Sequence, residues 1–560
     1  MLSLWAASAL AQNTVVSNNN PATLSSAVAM GGTVTFSFSG TITLSNTIIV
    51  TNKVAIDGTG YAVTISGGSN VQTLVVYSNA SLSLNNLTLT AGGQVSGQNN
   101  RANFGGAISN GGSLVITGCT FSNNSANASF APGEVGRGGA IFNEASLVVS
   151  NSLFLQNNAQ GHYGLIISPY PTGGEGSGGA IYNASTALIA NCSFFSNTAA
   201  AGSGGDDYEQ GANGGAAYGG AVCNVGSLGI FNSTFSQNVI TGGSGGNGIN
   251  LIDAGVQPYG GGNGGAGYGG AVCSVSGNLA IINSTFANNL AEGSGGGPGA
   301  YGAVPQGDGG NPNGANGGNG GDGIGGGVAL LAGAMSITNV TCANNTTVGG
   351  TGGMGGVAYY PPFIGTNGAN GAPGIGQGET IANSGGSFLV KNSILYCASN
   401  ETNGFGSIFD AGNNINSDAT ALLTNSTSFN NTNPLLGTLG NYGGSTQTIP
   451  LLLGSPAINA ADPLAFPSTD QRGYPRPYGP APDIGAFEFS FPMLSGASDP
   501  GVFQFFLSAD PSKKAVVQAS SNLVDWSTIA TNTIFTNMPT VIVDGTSSKS
   551  KYKFYRVVLQ

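Results

Sequence analysis

Gly138-Gly139-Ala140-Ile141-Phe142-Asn143, followed by Ser146-Leu147-Val148-Val149-Ser150-Asn151-Ser152-Leu153-Phe154-Leu155-Gln156-Asn157, decides the fold of this chain because it recurs. Copies stand at Gly105 to Asn124, Gly178 to Asn197, Gly219 to Asn238 and Gly269 to Asn289, and drifted copies at Gly326 to Asn345 and Gly378 to Leu395. From the first Gly to the Phe position the step is 16 residues in most copies and 17 in those starting at Gly269 and Gly378. The return from the last Asn to the next Gly-Gly grows from 14 to 37 residues. A fixed unit with insertions at a single corner produces this pattern.

The unit is built of strands. Leu147-Val148-Val149 and Ile181-Tyr182 alternate at period two and are rich in β-branched and aromatic types. Asn recurs in three columns: Asn110, Asn143, Asn183, Asn224; Asn151, Asn191, Asn232, Asn283, Asn339, Asn392; and Asn124, Asn157, Asn197, Asn238, Asn289, Asn345. Asn tolerates left-handed backbone at bends and, stacked rung on rung, forms amide ladders. The expectation is an all-β chain, a right-handed parallel β-helix with one rung per repeat. Its handedness rests on the preference of parallel crossovers. Phe121, Phe154, Phe194, Phe235 and Phe286 should stack in one inward column.

The Gly-Gly-Ala-Ile and Phe-x-x-Asn signature, over roughly residues 105 to 400, resembles the repeats of polymorphic outer-membrane proteins, whose passenger domains are pectin-lyase-like β-helices. That resemblance implies a surface-exposed solenoid and says little about activity.

Composition narrows the function classes. Charged residues make up only 6% of the 560, Gly counts 98, and the net charge is −11. Residues 1–490 carry 19 acidic and 6 basic side chains, and residues 491–560 carry 4 and 6. With no basic patch on the coil, nucleic acid is not an expected partner. Residues 1–11, apolar and ending Ala9-Leu10-Ala11, read as the last part of a secretory signal peptide, which places the protein outside the cell or on a bacterial cell surface. Nothing else reaches 18 apolar residues, so no transmembrane helix is expected. Six Cys are too few for a disulfide framework; Cys223 and Cys273 share a repeat column, which leaves open a bridge between rungs.

Residues 12–400 are assigned to the β-helix, the first hundred as early rungs and an N-terminal cap. Residues 401–490 change character. Asn433-Pro434-Leu435-Leu436-Gly437, Asn441-Tyr442-Gly443-Gly444-Ser445, Thr469-Asp470-Gln471-Arg472-Gly473-Tyr474-Pro475-Arg476 and Asp483-Ile484-Gly485-Ala486-Phe487-Glu488 resemble the tail of choice-of-anchor Q proteins, with Ile449 where His is expected. The family assigns no chemistry to this run, so it reads as a C-terminal cap in which Asp470, Arg472 and Arg476 form salt bridges rather than a catalytic set. Residues 491–560 carry several short strands and resemble a fibronectin-III-like module, a small antiparallel β-sandwich.

Catalysis finds little support. Between residues 102 and 390 the only Arg or Lys is Arg137, and His162 is the only His of the chain. A lyase lacks its base, and a glycoside hydrolase needs two facing carboxylates about 5–9.5 Å apart. The Gly-rich insertions Val239–Tyr268, Leu290–Gly325 and Thr346–Gln377, with their shorter counterparts, hold Tyr163, Tyr170, Tyr208, Tyr218, Tyr259, Tyr268, Tyr301, Tyr359 and Tyr360. Entering at one corner, they should lie side by side and offer a Tyr-dotted surface for a polysaccharide or a surface protein. Tyr218 and Tyr268, each just before Gly-Gly-Ala-Val, should stack one rung apart. Calcium is the one cofactor the sequence leaves room for, at Asp206, Asp207 and Glu209 or at Asp322 in Gly317-Gly318-Asn319-Gly320-Gly321-Asp322. The readings are thus an adhesive or binding β-helix, a polysaccharide lyase or hydrolase on the same scaffold, and a structural envelope spacer.

Overall fold

The computed structural model describes residues 13–93, 104–128, 133–164, 172–206, 210–249, 258–302, 312–359, 365–398, 402–421 and 423–489. Beyond these it describes the strands of the last seventy residues and their neighbours, at 493–499, 502–508, 514–533, 540–544 and 553–559. The putting together of residues 13–416 is that of a right-handed parallel β-helix: a 12-stranded, a 10-stranded and an 11-stranded sheet, parallel throughout, form its three walls. Each repeat gives one strand to each wall. In the quoted copy these are Ile141–Asn143 in the second sheet, Ser146–Ser150 in the first and Leu153–Leu155 in the third.

Alternation sets which side chains enter the coil. In the first sheet Leu114, Leu147, Ala187, Leu228, Leu279, Met335 and Phe388 pair in register and are buried, as are Ile116, Val149, Ile189, Ile230, Ile281, Ile337 and Val390. In the third sheet the Phe column stacks as the spacing predicts. Successive rings from Phe121 to Phe286 lie 4.9, 4.6, 4.5 and 4.8 Å apart and within 6° of parallel.

The three Asn columns do different work. Asn110, Asn143, Asn183 and Asn224 are buried and joined Nδ2 to Oδ1 at 2.7–2.8 Å. Asn124 to Asn345 form a second ladder at 2.7–2.9 Å, and each Oδ1 from Asn157 onward also accepts the backbone N–H of the Asn one rung before. The remaining column, Asn151 to Asn392, holds left-handed backbone with φ of 47–56° at the corner before the third sheet. The first Gly of the motif makes another left-handed corner, and in the drifted copy that residue is Gly325, φ 70°, rather than Gly326. That copy therefore belongs to the 17-residue class. Its extra residue sits in the turn between the second and first sheets, where Gly333 has φ 87° and Gly277 of the preceding copy has φ 77°.

One element departs from the strand pattern. Pro21–Met30 is an α-helix, capped by Asn20, whose side chain accepts the N–H of Ala22, and stopped at Gly31. Leu24, Ala27 and Val28 are buried against the first strands, so the helix forms the N-terminal cap. At the other end Gly404–Phe405, Phe409–Asp410 and Ile415–Asn416 add a last rung, and Ala421 joins the coil core.

Residues 434–489 do more than close the end. They run back along the outer face of the third sheet as a flap. Its first part is a hairpin closed at Leu436–Leu451 and Gly440–Thr448. Thr446 Oγ1 donates to Asn232 O, Gln471 Nε2 to Thr234 Oγ1, and Thr285 Oγ1 to Gln471 Oε1. Further along, Ala486 N–H donates to Thr341 Oγ1 and Asn392 Nδ2 to Ala465 O. Under the flap the outward residues of the third sheet are small and buried: Thr234, Ser236, Thr285, Ala287, Thr341 and Ala343. The flap is held internally by buried charge. Asp470 pairs with Arg472 at 2.7 Å and Arg476 with Glu488 at 3.1 Å, all four side chains at most 4% exposed. Arg472 also lies 3.5 Å from the centre of the Phe487 ring. Asp470, Arg472 and Arg476 are therefore structural, with no face open to a substrate. The C-terminal residues form two three-stranded antiparallel sheets, Met493–Asp499, Val502–Ser508 and Thr540–Asp544 in one and Lys514–Ser520, Ser527–Thr533 and Phe554–Leu559 in the other.

Candidate binding surface

The insertions leave the coil through two six-stranded parallel sheets, one starting at Ser125–Asn127 and the other at Gly136–Arg137. Beyond them the described residues run out and back in extended arms with neither helix nor strand pairing among them. These arms are nonetheless ordered by a period of three. Gly242-Gly243-Ser244-Gly245-Gly246-Asn247-Gly248 shows it: Gly242, Gly245 and Gly248 donate to Glu292, Gly295 and Pro298 of the next outgoing arm, while Gly243 and Gly246 donate to Gly215 and Ala212 of a returning arm. Outgoing arms form one layer and returning arms a second, zipped together by such bonds as Gly262→Gly246, Gly297→Gly262, Gly318→Gly297 and Gly353→Gly318. A three-residue repeat of extended chain with all bonds made to neighbours is what polyproline-II-type helices produce when packed side by side. Glycine is required by the closeness. A Cβ on Gly318 would stand 1.9 Å from Gly262 O, and one on Gly371 1.8 Å from Gly318 O.

On the returning layer the third residue of each triplet is often Asn, and its side chain meets the one backbone donor left over. Asn213 Oδ1 accepts from Asn263 N–H, Asn263 from Asn319, Asn319 from Ala372, and Asn316 from Ala369, all at 2.8–2.9 Å. Asp322 does the same for Ile375 at 2.9 Å, a structural account of the residue that the calcium motif singled out. Asp206 accepts the N–H and Nδ2 of Asn247 at 2.6 and 3.2 Å. Among the described residues no group of three His, Cys, Asp or Glu is placed to hold a metal ion. Asp207 and Glu209 lie outside the described residues.

The outgoing layer presents a different face. Its third residues align in rows fixed by the in-layer bonds: Tyr163, Ser203, Ser244, Gly295 and Thr351; then Asp206, Asn247, Pro298 and Met354; then Tyr301 and Val357. Tyr163, Tyr301, Met354 and Val357 are exposed by 55, 64, 73 and 48%, large values for apolar side chains on so regular a backbone. The tyrosines expected to make the surface divide accordingly. Tyr163 and Tyr301 stand on this face, and Tyr359 is exposed at the rim. Tyr259 is half-buried, and Tyr170, Tyr208 and Tyr360 lie outside the described residues.

Tyr218 and Tyr268 do stack one rung apart, with centres 5.5 Å apart and rings within 8° of parallel, but at the base of the array. Tyr218 packs with Phe142, Tyr182 and Cys223 against the second sheet. Burial pushes the Tyr182 hydroxyl up to about 12 and raises Tyr218 and Tyr268 as well. Arg137, 5.0 Å from the centre of the Tyr182 ring and 3.6 Å from Glu175, closes this pocket. Cys223 and Cys273 pair in register as free thiols, and burial raises both above the ordinary thiol range.

No protein-family profile matches the chain, and no curated protein matches it. No helix among the described residues is long and apolar enough to cross a membrane.

Proposed function

We propose that this is a secreted or bacterial cell-surface protein that binds a polysaccharide or a surface protein through the outgoing-layer face of its glycine array. One observation carries the reading: Tyr163, Tyr301, Met354 and Val357 are displayed on a backbone bonded in two directions. Side chains held this way lose little freedom on binding, and aromatic residues are the usual anchors of interfaces. The resemblance to polymorphic outer-membrane and choice-of-anchor Q proteins and the signal-like residues 1–11 support the location. The carboxylates that the flap brings together, Asp470, Asp483 and Glu488, are buried and give the pectin-lyase-like alternative no support.

The test is a solid-phase screen of the protein against insoluble polysaccharides and matrix proteins, repeated with the variant Tyr301→Ala/Met354→Ala/Val357→Ala. Binding in the parent that falls about tenfold or more in the variant supports the face as the site. Equal binding by both leaves the coil as a spacer and removes this assignment.

A further inference from the structure

A second surface, on the outer face of the third sheet where it meets the root of the array, is built like a binding groove. The outward column of the third sheet reads Phe195, Ser236, Ala287, Ala343 and Tyr396 on successive rungs, paired in register. The three middle residues are small and at most 2% exposed, and Ile449, Leu436, Leu439 and Tyr396 pack with Ala287 and Ala343 beneath the flap hairpin. Beside this contact, between the hairpin and the corner of the coil, lies a cleft of about 540 Å³ with Phe195 and Tyr396 at its two ends. Those ends are four strand spacings apart, about 19 Å. Along the coil-side rim stand the corner residues Gln237, Asn288 and Asn344, all exposed, with left-handed backbone of φ 57, 56 and 52°. A second cleft of about 340 Å³ shares Phe195 and Gln447 with the first and continues past the hairpin tip to Gly118.

The lining decides the ligand class. Among the described residues neither cleft is lined by a charged side chain; amides, hydroxyls, two aromatic rings and aliphatic groups make up the surface. An acidic polymer would leave its carboxylates without a cation, whereas a neutral sugar chain finds ring faces for its apolar side and amides for its hydroxyls. The seam is long, open at the side and continuous across rungs, which suits an extended polymer better than a compact metabolite. We infer that the seam between the flap hairpin and the third sheet is a binding groove for a neutral, extended polysaccharide chain. Phe195 and Tyr396 serve as the end platforms and Gln237, Asn288 and Asn344 as the polar rim. This site is separate from the array face and stands whether or not that face binds.

Affinity electrophoresis of the full chain tests it, in gels containing hydroxyethylcellulose, xyloglucan or galactomannan, with polygalacturonate as the charged counterpart. Retardation by at least one neutral polymer and not by polygalacturonate is the expected result. Phe195→Ala should weaken it about tenfold. Asn288→Asp, an exposed change that leaves the fold intact, should weaken it as well, and Tyr301→Ala on the array should not. No retardation in any neutral gel overturns the assignment. So does retardation by polygalacturonate alone, or retardation that survives both Phe195→Ala and Asn288→Asp unchanged.

Discussion

At the residue scale the informative signals were those whose position is fixed by stacking. Each ring of the Phe column rests on the next at 4.5–4.9 Å, so removing one leaves a hole bounded by two rings with nowhere to move. Phe194→Ala is expected to cost about 3–5 kcal/mol, read as a lowered midpoint in thermal unfolding. Phe195→Ala, at a partly buried position facing outward, should lower it far less. Adjacent residues thus give opposite outcomes, and equal losses would contradict the inward–outward assignment. The Asn columns were legible for the same reason, since a residue repeated at a fixed offset in every rung must face its own kind. Which column ladders and which bends was not legible, because both uses favour Asn.

At the scale of elements, the strands were readable and the arms were not. The insertions read as Gly-rich loops because no period of two or 3.6 runs through them. The period that does, Gly at two of three positions in stretches such as Gly349-Gly350-Thr351-Gly352-Gly353-Met354, belongs to a chain that bonds only to neighbours. The helix Pro21–Met30 has no strong apolar period either, although Asn20 before it, Pro21 at its first position and Gly31 after it are start and stop signals.

The array makes two predictions. Gly318→Ala, with its Cβ 1.9 Å from a neighbouring carbonyl, should speed amide exchange across residues 312–323 and 349–359 while the coil strands keep their protection. Gly260→Ala, whose Cβ would stand 3.2 Å from Asn316 O, should speed exchange far less. The second concerns the array's free edge. Gly314, Gly317 and Gly320 donate to the last returning arm, which places Asn367, Asn370 and Pro373 at the matching positions of that arm, where no further arm follows. Pro373 has no N–H to offer, and Asn370 and Asn367 turn back to accept from Gly355 and Ala358 at 2.8 Å. This edge is blocked against pairing with another copy, the problem that open sheet edges also pose. Asn367→Gly/Asn370→Gly/Pro373→Gly should therefore self-associate in sedimentation velocity at concentrations where the parent stays monodisperse.

At the scale of the whole molecule, the flap joins rungs far apart in sequence, from Asn232 to Asn392, so its own stability bears on that of the coil. Its buried charges do not balance when all are ionised: Asp470, Asp483 and Glu488 face Arg472 and Arg476. A proton on Asp483 would bring the set to neutrality. Consistent with this, burial first and the nearby Glu488 second push the Asp483 carboxyl up to about 7, although Asn459 and Phe489 donate N–H groups to it. A carboxyl that holds its proton more tightly when folded than when unfolded stabilises the fold below the ordinary carboxylate range. That contribution is lost as pH rises from about 4 through about 7. The expected loss over that interval is of the order of 2–4 kcal/mol, opposite in sign to the pull of Lys391 on Asp462, which is lowered. Asp483→Asn should flatten the dependence, because the amide is neutral throughout. The measurement is the thermal midpoint of parent and variant at pH 4.5, 6 and 8. A parent midpoint that does not fall between pH 4.5 and 8 relative to the variant would mean that Asp483 is ionised in the folded protein and that the flap carries one buried negative charge in excess of its Arg pair.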